Sequence, residues 1–274
     1  MQEISLILTD IDGTLLDSQH QVSPESQALI ADLAKKAIPV VLASARSPRG
    51  MLPIAEKIQS TTPLVCFNGA LITQYEEGEF HHLASLTLER LDALVVYQLI
   101  ASKFPNISIN VYSEDRWLVE AEDDWVKQEE EITEIRAEVV SLKDFLNGNH
   151  PIHKILCMGS PEEIKALETE LAKAKIPSID FQRSKDSYLE IVNNQVSKLS
   201  ALKTLADHYQ VAIENTLAIG DNYNDVPMIQ HAGVGIAMGN APLPVQQAAD
   251  FVTKTNDENG FYNALVDCLG ISNA

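Results

Sequence analysis

The chain has 274 residues, 45% of them hydrophobic, enough for one large domain or two modest ones with real cores. Asp and Glu number 39 against 20 Lys and Arg, a formal charge of -19, so the summed field opposes association with nucleic acid or an anionic membrane surface. Any anionic small ligand needs local help, from a metal ion and a few placed cations.

Residues 4–9 form a short aliphatic run suited to a strand buried on both faces of a parallel sheet. A turn with Gly13 follows, and Ser23 as N-cap with Pro24 in the first helical position predicts a helix ending near Ala37. Residues 39–43 read as the next buried strand, 47–59 as a helix made irregular by Pro53, and 63–67 as a third strand. From about residue 85 the pattern changes. Helices over 87–102 and 161–174 mix with strands over 107–112, 117–121, 152–158 and 188–192, without a repeating unit. The acidic tract Glu129-Glu130-Glu131, with Glu134, reads there as a solvated helix face or loop. Alternation then returns: helix 197–208, strand 216–219, short helix 225–231, strand 233–237, helix 243–249, strand 251–253 and a last helix from about Asp257. Such alternation predicts an open α/β domain, a doubly wound parallel sheet covered on both faces, built from residues 1–84 and 191–274. Residues 85–190 form an inserted α+β domain.

Cys66, Cys157 and Cys268 are widely spaced in apolar runs and read as reduced packing residues. The chain enters its first apolar run without the basic start and long apolar stretch of a leader, and no run reaches membrane-spanning length, so a cytoplasmic location without a membrane partner is expected. Oligomeric state is left open.

Ligands of open α/β sheets bind beyond the carboxyl ends of the strands, which directs attention to four polar segments. Asp10 and Asp12 follow the first strand, two residues apart, and an extended backbone points both toward one side. The pair suits magnesium, which takes hard oxygen ligands, and an aspartate is a competent nucleophile toward phosphorus. Alone, it reads more readily as a turn beside Gly13. Ser44, Ala45 and Arg46 follow the second strand, where a hydroxyl and a backbone N–H can hold phosphate oxygens; Arg46 suits either substrate contact or a surface role. Lys198 opens a helix after Ser197, a place unfavourable to a lysine unless an anion lies nearby. Gly220-Asp221-Asn222-Tyr223-Asn224-Asp225 ends another apolar strand, so Asp221 can reach the metal of the first pair. Two acidic strand ends joined by a hydroxyl and a lysine favour a site over unrelated caps.

The segments Asp10-Ile11-Asp12-Gly13-Thr14-Leu15-Leu16, Ser44-Ala45-Arg46, Lys198 and Gly220 to Met228 together resemble the haloacid dehalogenase-like hydrolase superfamily, specifically its Cof-type sugar phosphatases. Phe67-Asn68-Gly69-Ala70 and the tail from Ala249 to Thr253, with Asn256 and Gly260, are similar to that family too. Ala45 and Leu199 depart from it, standing where Gly is usual. The resemblance implies a Rossmann-like core with an inserted cap, and a Mg2+-dependent phosphatase acting on phosphorylated small molecules, sugar phosphates foremost. It implies that Asp10 is the nucleophile and a metal ligand, that Asp12 is the general acid and base and binds metal through its carbonyl, and that Asp221 completes the metal ligands. Ile11, Ser44, Ala45, Lys198 and Asn224 would hold phosphate and Asp225 would support the metal. The cap would close over the site, with Arg183, Lys185, Asp186, Tyr188 and Glu190 as candidates for substrate contact. A phosphomutase and a non-enzymatic phosphoacceptor regulator are the alternatives.

Overall fold

The computed structural model describes residues 3–271; the opening Met1-Gln2, read above for a leader, lies outside them. Residues up to Arg46, Met51–Ala84 and those from Ser197 onward form one unit, and Ser47–Gly50 with Ser85–Val196 form a second.

The first unit begins with β1 (Leu6–Asp10), every residue of it buried. Helix α1 (Pro24–Lys35) starts as its sequence requires, the Ser23 hydroxyl accepting from the Ser26 N–H at 3.1 Å with Pro24 in the first turn. There follow β2 (Val40–Ala43), α2 (Pro48–Lys57), β3 (Leu64–Cys66), β4 (Leu71–Glu76) and β5 (Glu79–Ser85). Pro53 sits within α2 without ending it. Strands β4 and β5 are joined through Glu77 and Gly78, both at positive φ, the backbone of a tight hairpin turn.

The second unit supplies α3 (Arg90–Lys103), β6 (Ser108–Ser113), β7 (Arg116–Val119), α4 (Asp124–Thr133), β8 (Glu138–Val139) and α5 (Leu142–Asn147). It continues with β9 (Lys154–Met158), α6 (Pro161–Ala174), β10 (Ile179–Lys185) and β11 (Tyr188–Asn193). Its sheet runs in the order β10-β11-β9-β6-β7-β8, and Val111, Leu118, Ile155, Leu189 and Ile191 are among the residues of its apolar core. The expected end of the insert, residue 190, is corrected to Val196. Strand β11 stays paired with β10 through Asn193↔Ile179, and the Asn193 amide donates to the Thr87 carbonyl at 2.8 Å. The acidic tract is corrected in part, since Glu131 and Glu134 are exposed as expected. It lies on α4, but Glu130 is buried and accepts from the Ala137 N–H at 2.9 Å, while Glu129 accepts from the Tyr188 hydroxyl at 2.6 Å.

The chain then returns with α7 (Lys198–Tyr209), β12 (Thr216–Gly220), α8 (Val226–His231), β13 (Val234–Ala237), α9 (Leu243–Gln246), β14 (Phe251–Val252) and α10 (Gly260–Leu269). The sheet order is β14-β13-β12-β1-β2-β3-β4-β5, parallel from β14 through β3, with β4 antiparallel to β3. From β1 the chain winds outward through β2 and β3 on one side and through β12 to β14 on the other, so the order switches between β1 and β12. Burial of the strand side chains, each worth about 1.5–3 kcal/mol for a Leu or Val, fixes the register that aligns the carboxyl ends of β1, β2 and β12. Among the described residues no helix is long and apolar enough to cross a membrane.

Candidate active site

Asp10 is the last residue of β1 and is 7% exposed. Lys198 opens α7 behind the Ser197 cap and is fully buried, its ammonium bonded to Asp10 Oδ1 and, at 2.6 Å, to Asp225 Oδ1. The sequence requirement for an anion beside Lys198 is thus met by two aspartates. Asp225 also accepts at Oδ2 from the backbone N–H groups of Asp221 and Asn222, at 3.0 and 2.9 Å, which shapes the turn after β12. With both oxygens engaged, Asp225 holds its neighbours in place. Asp221 in turn accepts from the Thr14 hydroxyl at 3.0 Å.

Carboxylate oxygens of Asp10, Asp221 and Asp225 lie within 4.8 Å of one another. Burial drives the Asp10 carboxyl well above the usual carboxylate range; the Lys198 charge pulls it back, and the charges of Asp225 and Asp221 push it further up. Burial and the Asp225 charge likewise raise Asp221, against the bond from Thr14. Burial alone would lower the Lys198 ammonium, but Asp10 and Asp225 outweigh it and hold it raised. Three carboxylates face one ammonium, so the group is short of positive charge. An all-oxygen, electron-rich cluster of this kind fits a hard divalent cation.

Asp12 is elsewhere. Its carboxylate accepts two bonds from Arg46, Nε at 2.8 Å and a terminal nitrogen at 2.6 Å, and both side chains are partly exposed. Arg46, open from sequence between substrate and surface roles, therefore pairs with Asp12, and Asp12 is not in the carboxylate cluster by its side chain. Ser44 is buried at the end of β2; its hydroxyl accepts from the Arg46 N–H at 3.2 Å and keeps its proton for an anion. Ala45 stays outside the left-handed region, so the lack of glycine there strains nothing. Ile11, buried after β1, accepts at its carbonyl from the Leu16 N–H at 2.9 Å and closes the loop that follows. Asn224 donates to Asn68 Oδ1 at 2.9 Å, while its own Oδ1 is buried with no partner. Asn68 and Thr14 were quoted from sequence without a role. Asn68 is held left-handed at φ 58 and fixes Asn224, and Thr14 fixes Asp221.

In the second unit the candidate residues are divided by the sheet. Tyr188 and Glu190 are buried on one face of β11, with Glu190 3.5 Å from Lys154 and the Lys185 ammonium 4.4 Å over the Tyr188 ring. Arg183 pairs in register with Leu189, on the opposite face, and bonds Glu168 of α6 at 3.2 Å. Arg183, with Asp186 4.0 Å from its guanidinium, is thereby separated from Lys185, Tyr188 and Glu190. Lys154, which the sequence did not single out, joins them, and its ammonium lies 4.9 Å over the Tyr112 ring.

A buried aspartate held by a lysine at the switch point of an open parallel sheet, beside a second acidic strand end, fits a hydrolase of the phosphatase class. The chain belongs to the haloacid dehalogenase-like hydrolase family, which residues 7–265 match, and the Cof-type resemblance of its motifs is borne out. A Haemophilus influenzae relative, named only provisionally as a phosphatase, is 37% identical over 93% of this chain and 94% of its own length. The Bacillus subtilis 5-amino-6-(5-phospho-D-ribitylamino)uracil phosphatase YitU is 29% identical over 93% of this chain and 94% of its own. A haloacid dehalogenase-like hydrolase from Bacteroides thetaiotaomicron has a solved structure that superposes with a TM-score of 0.86 at 30% identity, covering 97% of this chain and all of that one.

Proposed function

We propose that the chain is a Mg2+-dependent phosphatase that hydrolyses phosphate monoesters of small metabolites, sugar phosphates foremost, through an aspartyl-phosphate on Asp10. The observation that carries this reading is the buried Asp10 carboxylate, bonded to Lys198 at the end of β1 and within ligand spacing of Asp221. Asp10 attacks phosphorus as the bond to the leaving oxygen breaks, and Asp12, which must first leave its pair with Arg46 and take up a proton, gives that proton to the leaving oxygen. Asp12 then takes a proton from water, whose oxygen attacks the same phosphorus, breaks the bond to Asp10 and releases inorganic phosphate. Lys198, Ser44 and the Ile11 and Ala45 amides supply donors for the phosphate oxygens through both steps. When bound by Asp10 and Asp221, with the Asp12 carbonyl as a further ligand, a magnesium ion supplies charge neutralisation at those oxygens. Asn224 Nδ2 carries two hydrogens, so it can keep its bond to Asn68 Oδ1 and offer the second to phosphate. The relative named for a phosphoribitylamino-uracil supports a phosphate carried on a polyol chain as the type of substrate.

The test is release of inorganic phosphate from a panel of sugar and polyol phosphates. Activity should require Mg2+, vanish with a chelator and return on adding the metal. Asp10→Asn should abolish turnover, and undiminished hydrolysis by that variant removes Asp10 as nucleophile. Isomerised sugar phosphate without released phosphate points to a mutase instead.

A further inference from the structure

The loop carrying Gly13 to Leu16 buries the side chains of Thr14, Leu15 and Leu16, and the Leu16 N–H closes it on the Ile11 carbonyl at 2.9 Å. It borders a polar cavity of about 220 Å³ lined by Thr14, Leu15, Asp17, Asn256 and Asp257 among others. Two asparagines distant in sequence add hydrogen bonds that hold its backbone from outside. Asn240 donates from Nδ2 to the Gly13 carbonyl at 2.9 Å, and Asn256 donates from Nδ2 to the Leu16 carbonyl at 3.0 Å. The two are locked together, since Asn240 Oδ1 accepts from the Asn256 N–H at 3.0 Å. Neither bond is between groups that a helix or sheet would bring together anyway.

What the loop presents is the seat of Asp221. Gly13 lies at φ +79, and a Cβ built on it would come within 2.5 Å of Asp221 Oδ2. Thr14, the next residue, donates its hydroxyl to Asp221 Oδ1. The carboxylate is therefore fitted on one side by the Gly13 backbone and on the other oxygen by Thr14, and a shift of a few tenths of an ångström in the loop moves both contacts. We propose that Asn240 and Asn256 are positioning residues that clamp the Gly13–Leu16 loop and thereby set the Asp221 carboxylate for a divalent cation. The inference rests on the proposed Mg2+-dependent activity.

The probe is Mg2+ alone, titrated calorimetrically into the chelator-treated chain and its variants, with thermal unfolding followed in parallel. Asn240→Ala, Asn256→Ala and Thr14→Val should each weaken Mg2+ binding, by about 10- to 100-fold, the range typical for partners that orient a metal ligand. Thr14→Ser, which keeps the hydroxyl, should restore it. The Asn240→Ala and Thr14→Val losses should combine less than additively, because both act through Asp221. Asn263→Ala is the control: that side chain bonds the Glu258 and Asn259 carbonyls and nothing in the loop, so it should lower the melting temperature without touching Mg2+ affinity. Asn256→Asp, which keeps the size but not the donated proton, serves if the alanine variant does not fold, and should also bind Mg2+ less tightly. Clamp variants that lose thermal stability but bind Mg2+ like the parent overturn the inference alone. A parent chain that binds no Mg2+ overturns the activity reading along with it.

Discussion

Lys198 carries the electrostatics of the site. Its ammonium is fully buried and neutralises parts of two buried carboxylates, Asp10 and Asp225. Removing one partner from a buried ionic group leaves the others uncompensated, at a cost of about 3–5 kcal/mol. Lys198→Met, close in volume and free of charge, should therefore destabilise the metal-free chain by about that amount in urea unfolding, and should abolish phosphate release. Because the loss is of positive charge among carboxylates, Mg2+ should raise the melting temperature of this variant by more than it raises the parent's. An equal shift in both indicates that Lys198 and the cation do not share the same carboxylates. Asp12 shows how far such inference reaches from sequence. The two-residue spacing after β1 placed Asp10 and Asp12 on one side, yet Arg46 draws the Asp12 carboxylate into a two-bond pair away from Asp10. A partner 34 residues away in sequence is set by tertiary structure alone.

At the scale of elements, one ion-pair set ties helices of the second unit together. Glu170 on α6 accepts from Lys103 at the end of α3 and from Lys173 one turn along its own helix. The bonds and charges of the two lysines hold its carboxyl down to about 2. A carboxyl lowered on folding adds stability above its unfolded value of 4.5, and that stability is lost as pH falls from there toward about 2. Glu170→Gln should therefore lower the melting temperature slightly at neutral pH, since the pair is solvent-exposed, and should flatten the acid-side decline over that window. Parallel pH profiles for the parent and the variant refute the linkage. The elements themselves were legible wherever local signals agreed: Ser23 before Pro24, and the aliphatic runs of β1, β2 and β12. Strands β4, β5 and β10 were not, because they carry polar residues on exposed faces and owe their form to pairing. The candidate residues of β10 and β11 are divided between faces for a related reason. Arg183 and Lys185 share a face by simple alternation, but the register shifts between them, leaving Arg183 opposite Leu189 and Lys185 opposite Tyr188. Asp10, Ser44, Lys198 and Asp221 were readable because each follows a strand or opens a helix. Asn240 was not, and Asn256 was readable only as part of a family-like tail, since their bonds to Gly13 and Leu16 span more than two hundred residues of chain.

At the scale of the molecule, the charge of -19 and an anionic substrate are in opposition. The two cations nearest the proposed phosphate seat do not relieve this at a distance, because Lys198 is tied to Asp10 and Asp225 and Arg46 to Asp12. A doubly charged phosphate ester approaching the chain therefore meets net repulsion until it is within reach of the site's own donors. Salt screens that repulsion, the Debye length shrinking from about 30 Å at 0.01 M to about 8 Å at 0.15 M ionic strength. Raising NaCl across this range at constant free Mg2+ should increase kcat/KM severalfold, the reverse of what electrostatic steering gives to a positively charged enzyme, while kcat at saturating substrate stays level. Initial-rate measurements at several salt concentrations check this directly. A fall in kcat/KM with salt shows instead that the local field of the metal-bearing site extends past the acidic surface and draws the substrate in.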